Sequence, residues 1–499
     1  MNIRKSIVRF IAIMLVIPFI GGYMSGVASL DEAPTASYAN YLVDTTTKTI
    51  TPKAGDIYVS PNGCAAGVGT ESDPMDIVTA ISKLTAGNTI RMQSGTYLLT
   101  NTINILNTNS GTATAYKNIS NIDGGTVVLD FSFMSTGDNN RGVLMDGDFW
   151  HWYGIAIYGA GDNGMMLCGN DNIVEMCRFY GNRDSGLQIS RSRHSVTTRA
   201  EAPSRNLIKN CASYDNADAA GENADGFAPK LTCGDGNIFD GCMAFNNADD
   251  GWDLYDKGEL ADGGIGVVRI QNCVAFRNGK NTSGQGSASG DMNGFKLGGE
   301  GRPKAHVVVN CIAFENGAHG FTDNNNGGAI TLINCTSLNN SRYATASAKR
   351  NFGMDRAKDA VFTNLLTVNT SGGLGTDEFN GDIDHSVYYV NSDTAYRYVD
   401  NVVSISKGNN KLGSTINAPS ADDFISTQTM LSHLVDFHTY WRDDDGRINM
   451  RGFLELTADS RFAAANSDGR IIGANLSDCT VAAPPVTFLY SVAEAINDK

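Results

Sequence analysis

The sequence predicts an all-β solenoid: a single-stranded parallel β-helix with a capping helix at its N-terminal end and a covering segment at its C-terminal end. Three observations carry this. Six cysteines, Cys177, Cys211, Cys242, Cys273, Cys311 and Cys335, recur at intervals of 34, 31, 31, 38 and 24 residues, mostly as an Asn-Cys pair before an apolar residue ("IKNCASY", "IQNCVAF", "VVNCIAF"). Each is followed by a glycine and then an apolar residue, as in "SGLQI", "DGWDL" and "NGFKL". Composition agrees: Gly is 55 of 499 residues, about 11% against roughly 7% on average, while Pro is only 11. Short β-runs between Asn and Gly corners, repeating at this period without the leucine scaffold of a leucine-rich repeat, stack as coils. Equivalent residues then form columns at the inter-strand spacing of about 4.8 Å.

The elements follow in order. Residues 1–29 are read as a signal peptide: Arg4, Lys5 and Arg9 form a basic start, residues 10–20 an apolar run, and Val27, Ala28 and Ser29 suit cleavage. The expected destination is extracellular, with the periplasm as the alternative, and without membrane association once that segment is removed. Residues 55–400 are assigned to the β-helix. After "DIYVSPNGC", Pro74–Leu84 has helical periodicity and is read as a cap over the open first coil, before "GNTIRMQSGTYLL" returns to a strand pattern. The Cys-to-Gly distance is 9 residues at Cys177, Cys242 and Cys311, and also from Ile155 to Gly164 in the first register. It is 15 from Cys211 to Gly226, 21 from Cys273 to Gly294 and 18 from Cys335 to Gly353, which implies corner insertions of 6, 12 and 9 residues. Residues 401–499 are assigned to the covering segment. Its acidic run, Asp443, Asp444 and Asp445, fails as an EF-type loop, because a start at 441 would place Trp441 first and Gly452 twelfth; it reads as a solvated face.

In-register parallel neighbours point their side chains the same way, so the six repeat cysteines are expected as free, buried thiols beside an Asn ladder. Cys64, Cys168, Cys233 and Cys479 lie outside that column, and their pairing stays open.

The net charge of −15 argues against a nucleic-acid partner, which calls for a basic footprint. Alignment on the glycines shows where part of the acid goes. The residues one and three after each glycine are apolar and face the core, except for Asp323 three after Gly320, so the residue two after it faces outward. That outward column reads Met166, Gln188, Ala228, Asp253, Lys296 and Thr322. Asp225 and Asp250 precede their glycines on adjacent coils, with Asp249 beside the second. Asp225, Asp249, Asp250 and Asp253 thus converge on one outer patch with Lys296 stacked above. Four carboxylates in register call for a cation, and all-oxygen ligands suit Ca²⁺ better than Zn²⁺.

The runs "AGDNGMML", "NADGFAPK", "DDGWDLYDKG" and "NGFKLGG", with the N-terminal "YVSPNG", resemble the family 9 pectate lyases over about residues 55–370. The resemblance implies a secreted, right-handed parallel β-helix enzyme acting on polygalacturonate, or pectin, as a monomer. It implies Asp225, Asp249, Asp250 and Asp253 as ligands of a catalytic Ca²⁺ and Lys296 as the Brønsted base. The implied reaction is β-elimination, begun by removing the proton on C5, α to the uronate carboxylate, and ending in a 4,5-unsaturated product. For that Lys296 must be uncharged, and a neighbouring cation is expected to lower its pKa. Lys230, Arg277, Arg302 and Lys304 are candidates for holding further uronate carboxylates. A lyase for rhamnogalacturonan or another uronate polymer, and a non-catalytic carbohydrate-binding or adhesin-like β-helix, stay open at this point. A lysine above four aspartates argues against the non-catalytic reading, and against a hydrolase, which needs paired carboxylates as acid and base.

Overall fold

A computed structural model of the chain describes residues 51–343, 349–428, 441–463 and 471–477 except Asp123 and Ser371, with strand backbone also at 27–29, 43–44, 49–50 and 487–489. Two units are distinguished. In the smaller, residues 1–32 and 484–499, the described part is one antiparallel pair, Val27–Ser29 with Thr487–Leu489. The remainder of the expected signal peptide and Cys479 lie outside the described residues.

The larger unit holds three long sheets, one of 10 strands and two of 13, in which each strand away from the sheet ends pairs with the third strand before it and the third after it. The chain therefore passes once through each sheet per coil, the connectivity of a parallel β-helix, and parallel crossovers take the right-handed course. Ile77–Lys83 forms the helix expected near the start. Asp76 caps it by accepting from Thr79 N at 2.9 Å, and Ile77, Ala80 and Ile81 are buried.

The cysteine register holds. Arg178 pairs with Ala212, Ala212 with Met243, Met243 with Val274, Val274 with Ile312 and Ile312 with Thr336, so the preceding cysteines stack, all buried and unpaired. Cys64, Cys168 and Cys233 are also free thiols. The asparagines of the Asn-Cys pairs turn the corner between the two larger sheets: Asn210, Asn272, Asn310 and Asn334 have φ between 51° and 54°. Asn310 Nδ2 donates to Asn272 Oδ1 and Asn272 Nδ2 to Asp240 Oδ1, each at 2.8 Å, and a longer ladder lies five residues after each cysteine. Asn182, Asn216, Asn247, Asn278, Asn316 and Asn340 each pass an amide hydrogen bond to the next at 2.9 Å, and the last of these bonds goes to Asn351, which closes the ladder from the following corner.

One register is corrected. Phe321 pairs with Phe352 and Thr322 with Gly353, so the residue equivalent to Gly320 is Asn351, not Gly353. The ladder asparagine itself occupies that corner, which is why a search for glycine slips by two residues.

Inside the 10-stranded sheet runs an aromatic column, Phe227, Trp252, Phe295, Phe321 and Phe352, with ring centroids 4.7 to 5.2 Å apart. A second column, Tyr214, Phe245, Phe276 and Phe314, stands on the outer face of another sheet. There the C-terminal segment covers it, with Trp441 stacked on Phe276 and Phe453 edge-on to Phe314. The parallel ladders end at Gly381–Asp384 and Val387, beyond which Ala395–Val399, Val403–Ile405 and Ser414–Ile416 pair antiparallel.

Candidate active site

The 10-stranded sheet carries the outward column. Met166 pairs with Gln188, Gln188 with Ala228, Asp253 with Lys296 and Lys296 with Thr322. Alternation in the strand turns these side chains away from the core, but not into open solvent: Asp253 is 3% and Lys296 6% exposed, and Asp225 and Asp250 are fully buried. The sequence placed them on an exposed patch, and the cover comes from the corner loops. On one side, residues 215–223 and 281–292 are tied together through Thr282 to Asp215 and Ser287 N to Gly221 O. On the other, residues 190–201 and 256–262 are joined by Arg191 to Glu259 and Ala261 N to Thr197 O.

Between these walls the carboxylates converge. One oxygen from each of Asp225, Asp250 and Asp253 lies within 4.8 Å of the others. Main-chain and amide donors aim them: Asp250 N donates to Asp225 Oδ1 at 3.2 Å, and Asn293 donates to Asp250 Oδ1 through its N at 2.6 Å and its Nδ2 at 3.0 Å. Asp249 stands beside this group with one oxygen occupied by the N–H groups of Asp291 and Met292, at 2.6 and 3.1 Å.

Two amines answer the acids. Lys230 Nζ lies 2.6 Å from Asp225 Oδ2 and 3.1 Å from Asp253 Oδ2. Lys296 Nζ lies 3.2 Å from both Asp250 Oδ2 and Asp253 Oδ1, and 2.8 Å from Asp291 Oδ2. Burial raises the Asp225 carboxyl to about 6 even with Lys230 beside it. It also pushes Asp249 and Asp250 up, reinforced by neighbouring carboxylates. Asp253 is held low, because the two ammonium groups outweigh its burial. Burial alone would lower Lys296, but Asp253, Asp250, Asp291 and Asp225 together hold its ammonium well above the ordinary value. The lowering expected from sequence is therefore not a property of the protein's own groups.

The residues fit a hard cation. Their donors are all oxygen, set on strand ends and corners, and among the described residues five carboxyl groups, Asp225, Asp249, Asp250, Asp253 and Asp291, share two amines, Lys230 and Lys296. Among the described residues, Asp250 Oδ2 and Asp253 Oδ1 are buried without a hydrogen-bond donor, and each has the ammonium of Lys296 3.2 Å away.

Of the remaining basic candidates, Arg277 lies 2.9 Å from Glu315 at a corner of the next coil. Arg302 and Lys304 flank the buried Asp256, at 4.0 and 3.8 Å. Among the described residues, none of these three forms an ion pair with the site's aspartates. Sequence reasoning missed Asp291 and Tyr255, whose ring centroid is 5.2 Å from Lys296 Nζ. Asp291 belongs to the longest insertion, where the column alignment gives no position, and Tyr255 lies just beyond the last aligned residue.

Comparison with known proteins gives the family. The family described as Pel9A-like, right-handed beta helix region, matches residues 57–359. A pectate lyase L of Paenibacillus polymyxa is 39% identical over 434 residues, which is 86% of this chain and 88% of that protein. A pectate lyase L of Dickeya dadantii is 30% identical over 82% of this chain and 85% of its own length. The crystal structure of pectate lyase Pel9A superposes with a TM-score of 0.65 at 29% identity, covering 86% of this chain and 98% of that one. The chain belongs to the family 9 pectate lyases, the Pel9A-like right-handed parallel β-helix enzymes.

Proposed function

We propose that this protein is a secreted, Ca²⁺-dependent pectate lyase that cleaves α-1,4-galacturonan by β-elimination and leaves a 4,5-unsaturated uronide. The observation that carries the reading is the buried cluster of Asp225, Asp250 and Asp253 with Lys296 on the adjoining strand. Asp225, Asp250, Asp253 and the free oxygen of Asp249 would hold the cation. When bound, Ca²⁺ offsets the charge of the uronate carboxylate and makes the C5 proton more acidic.

Lys296 takes that proton. As the C5–H bond breaks, its electrons form the C4–C5 double bond, the C4–O4 bond breaks, and the departing oxygen is protonated from solvent. Lys296 must first be a free amine, and the carboxylates around it oppose this until their charge is balanced. Cation occupancy and base strength are therefore coupled through Asp250 and Asp253. Lys230 covers two of the same carboxylates, and once displaced it is free for a substrate carboxylate. Secretion rests on the basic and apolar pattern of residues 1–29. No helix among the described residues is long and apolar enough to cross a membrane.

The test is ultraviolet detection of unsaturated product from polygalacturonate, methylated pectin and rhamnogalacturonan side by side, with and without chelator. Product is expected from polygalacturonate only in the presence of Ca²⁺, with Lys296→Ala reduced by about a thousandfold or more. Full activity of Lys296→Ala, or indifference to chelator, would overturn the assignment.

A further inference from the structure

Lys296 has a neighbour that none of the ion pairs involves. Tyr255 follows Asp253 by two residues, and its main-chain carbonyl accepts from Leu231 N at 2.8 Å, which joins it to the segment that carries Lys230. Its ring lies against the ammonium of Lys296, with the centroid 5.2 Å from Nζ, and Lys257 Nζ is 5.8 Å from the same ring. The phenol donates a hydrogen bond to Glu300 on the following coil.

Gly299 makes room for this ring. A Cβ at that position would fall 2.1 Å from Tyr255 Cδ2 and 2.4 Å from Cε2, distances no methyl group tolerates. The backbone of Gly299 is not in the left-handed region, so what the position demands is space rather than conformational freedom. Two features of the next coil, a missing side chain and a carboxylate, thus fix one aromatic ring against the amine.

A lysine ends in four flexible methylenes, and misplacing a reacting group by about 1 Å costs on the order of a hundredfold in rate. Asp250, Asp253 and Asp291 bound the Lys296 amine with carboxylates, and Tyr255 is the aromatic surface beside it. We propose that Tyr255 is a positioning residue whose ring, seated by Gly299 and Glu300, holds the Lys296 amine in line with the proton it removes. This rests on the reading of Lys296 as the base.

The experiment compares Tyr255→Leu, Tyr255→Phe, Gly299→Ala, the Tyr255→Leu/Gly299→Ala double variant and Lys296→Ala on polygalacturonate at saturating Ca²⁺, with Ca²⁺ binding measured by calorimetry on each. For Tyr255→Leu, kcat is expected to fall about tenfold or more while KM stays within about twofold, and Ca²⁺ affinity should be unchanged. Tyr255→Phe, which keeps the ring, should restore kcat to within about threefold of wild type. Gly299→Ala should lower kcat in the same sense by displacing the ring, and should add nothing once the ring is gone.

Unchanged kcat in Tyr255→Leu, or a loss confined to KM, would overturn the positioning role, since the ring would then be inert or a substrate contact. A neutral Gly299→Ala would equally sink it. Should Gly299→Ala fail to fold, the Leu and Phe pair still decides the matter. If Lys296→Ala were itself fully active, the assignment of the base would fail and this inference with it. An inactive Lys296→Ala beside a fully active Tyr255→Leu would reject the inference alone.

Discussion

Asp253 serves two cations at once, Lys230 at one oxygen and Lys296 at the other. A divalent ion entering among Asp225, Asp250 and Asp253 meets the Lys230 ammonium already on two of those three groups. Lys230→Met is therefore expected to tighten Ca²⁺ binding in the absence of substrate by about tenfold, the scale of one partly screened charge pair. Calorimetric titration checks this, and equal or weaker binding would show that Lys230 does not compete. Asp225, Asp249, Asp250, Asp253 and Lys296 could be read from the sequence because each sits at a fixed offset from a corner glycine. Their burial could not be read. Strand alternation says which way a side chain points, while cover depends on loops of irregular length that share no column. Asp291 and Tyr255 escaped for the same reason.

The strands and corners obey column rules, and those rules explain both what was legible and the one slip in register. The repeat cysteine and the glycine at the corner after it stay recognisable through insertions, because an insertion lengthens the corner between them without moving the rungs. Where the corner glycine is replaced by Asn351, the final residue of the ladder, the glycine rule follows the wrong residue. The asparagines next to cysteine have two roles: their left-handed φ suits Asn at a turn, and Asn310 also donates its amide to Asn272 on the neighbouring coil, while the longer ladder runs through the residue five positions after each cysteine. Ion pairs between rungs follow the same geometry. Glu175 Oε2 lies 3.1 Å from His151 Nε2, and Glu175 Oε1 accepts from Lys209 Nζ at 3.0 Å, across neighbouring coils. Burial works to raise its pKa, but these two partners outweigh it and bring it down to about 2. A carboxylate depressed in the folded state adds stability that is complete above its unfolded pKa and lost as pH falls through the folded one. Glu175→Gln should thus cost on the order of 2–3 kcal/mol near pH 7, with the gap to wild type closing between about pH 4.5 and 2. Denaturant unfolding across that range measures it, and a gap independent of pH would contradict the account.

For the molecule as a whole, the net charge of −15 opposes approach to a polyanion, so under the proposed function capture would depend on the cation and on a few nearby basic groups rather than on a long-range field. The stacking of coils has a further consequence, for the order in which the protein comes apart. Each rung is bonded to the one below and the one above, so only the terminal rungs lack a neighbour and can fray at low cost. The strands that carry Asp253 and Lys296, with Phe227–Pro229 before them, are the fifth to seventh of ten in their sheet. Amide hydrogen exchange should therefore slow from both ends toward these rungs. Uniform exchange along the stack would show instead that the solenoid opens as one cooperative block. With graded exchange, partial unzipping from either end leaves the reacting groups in register until most of the stack has gone, and activity should outlast the first loss of structure on heating.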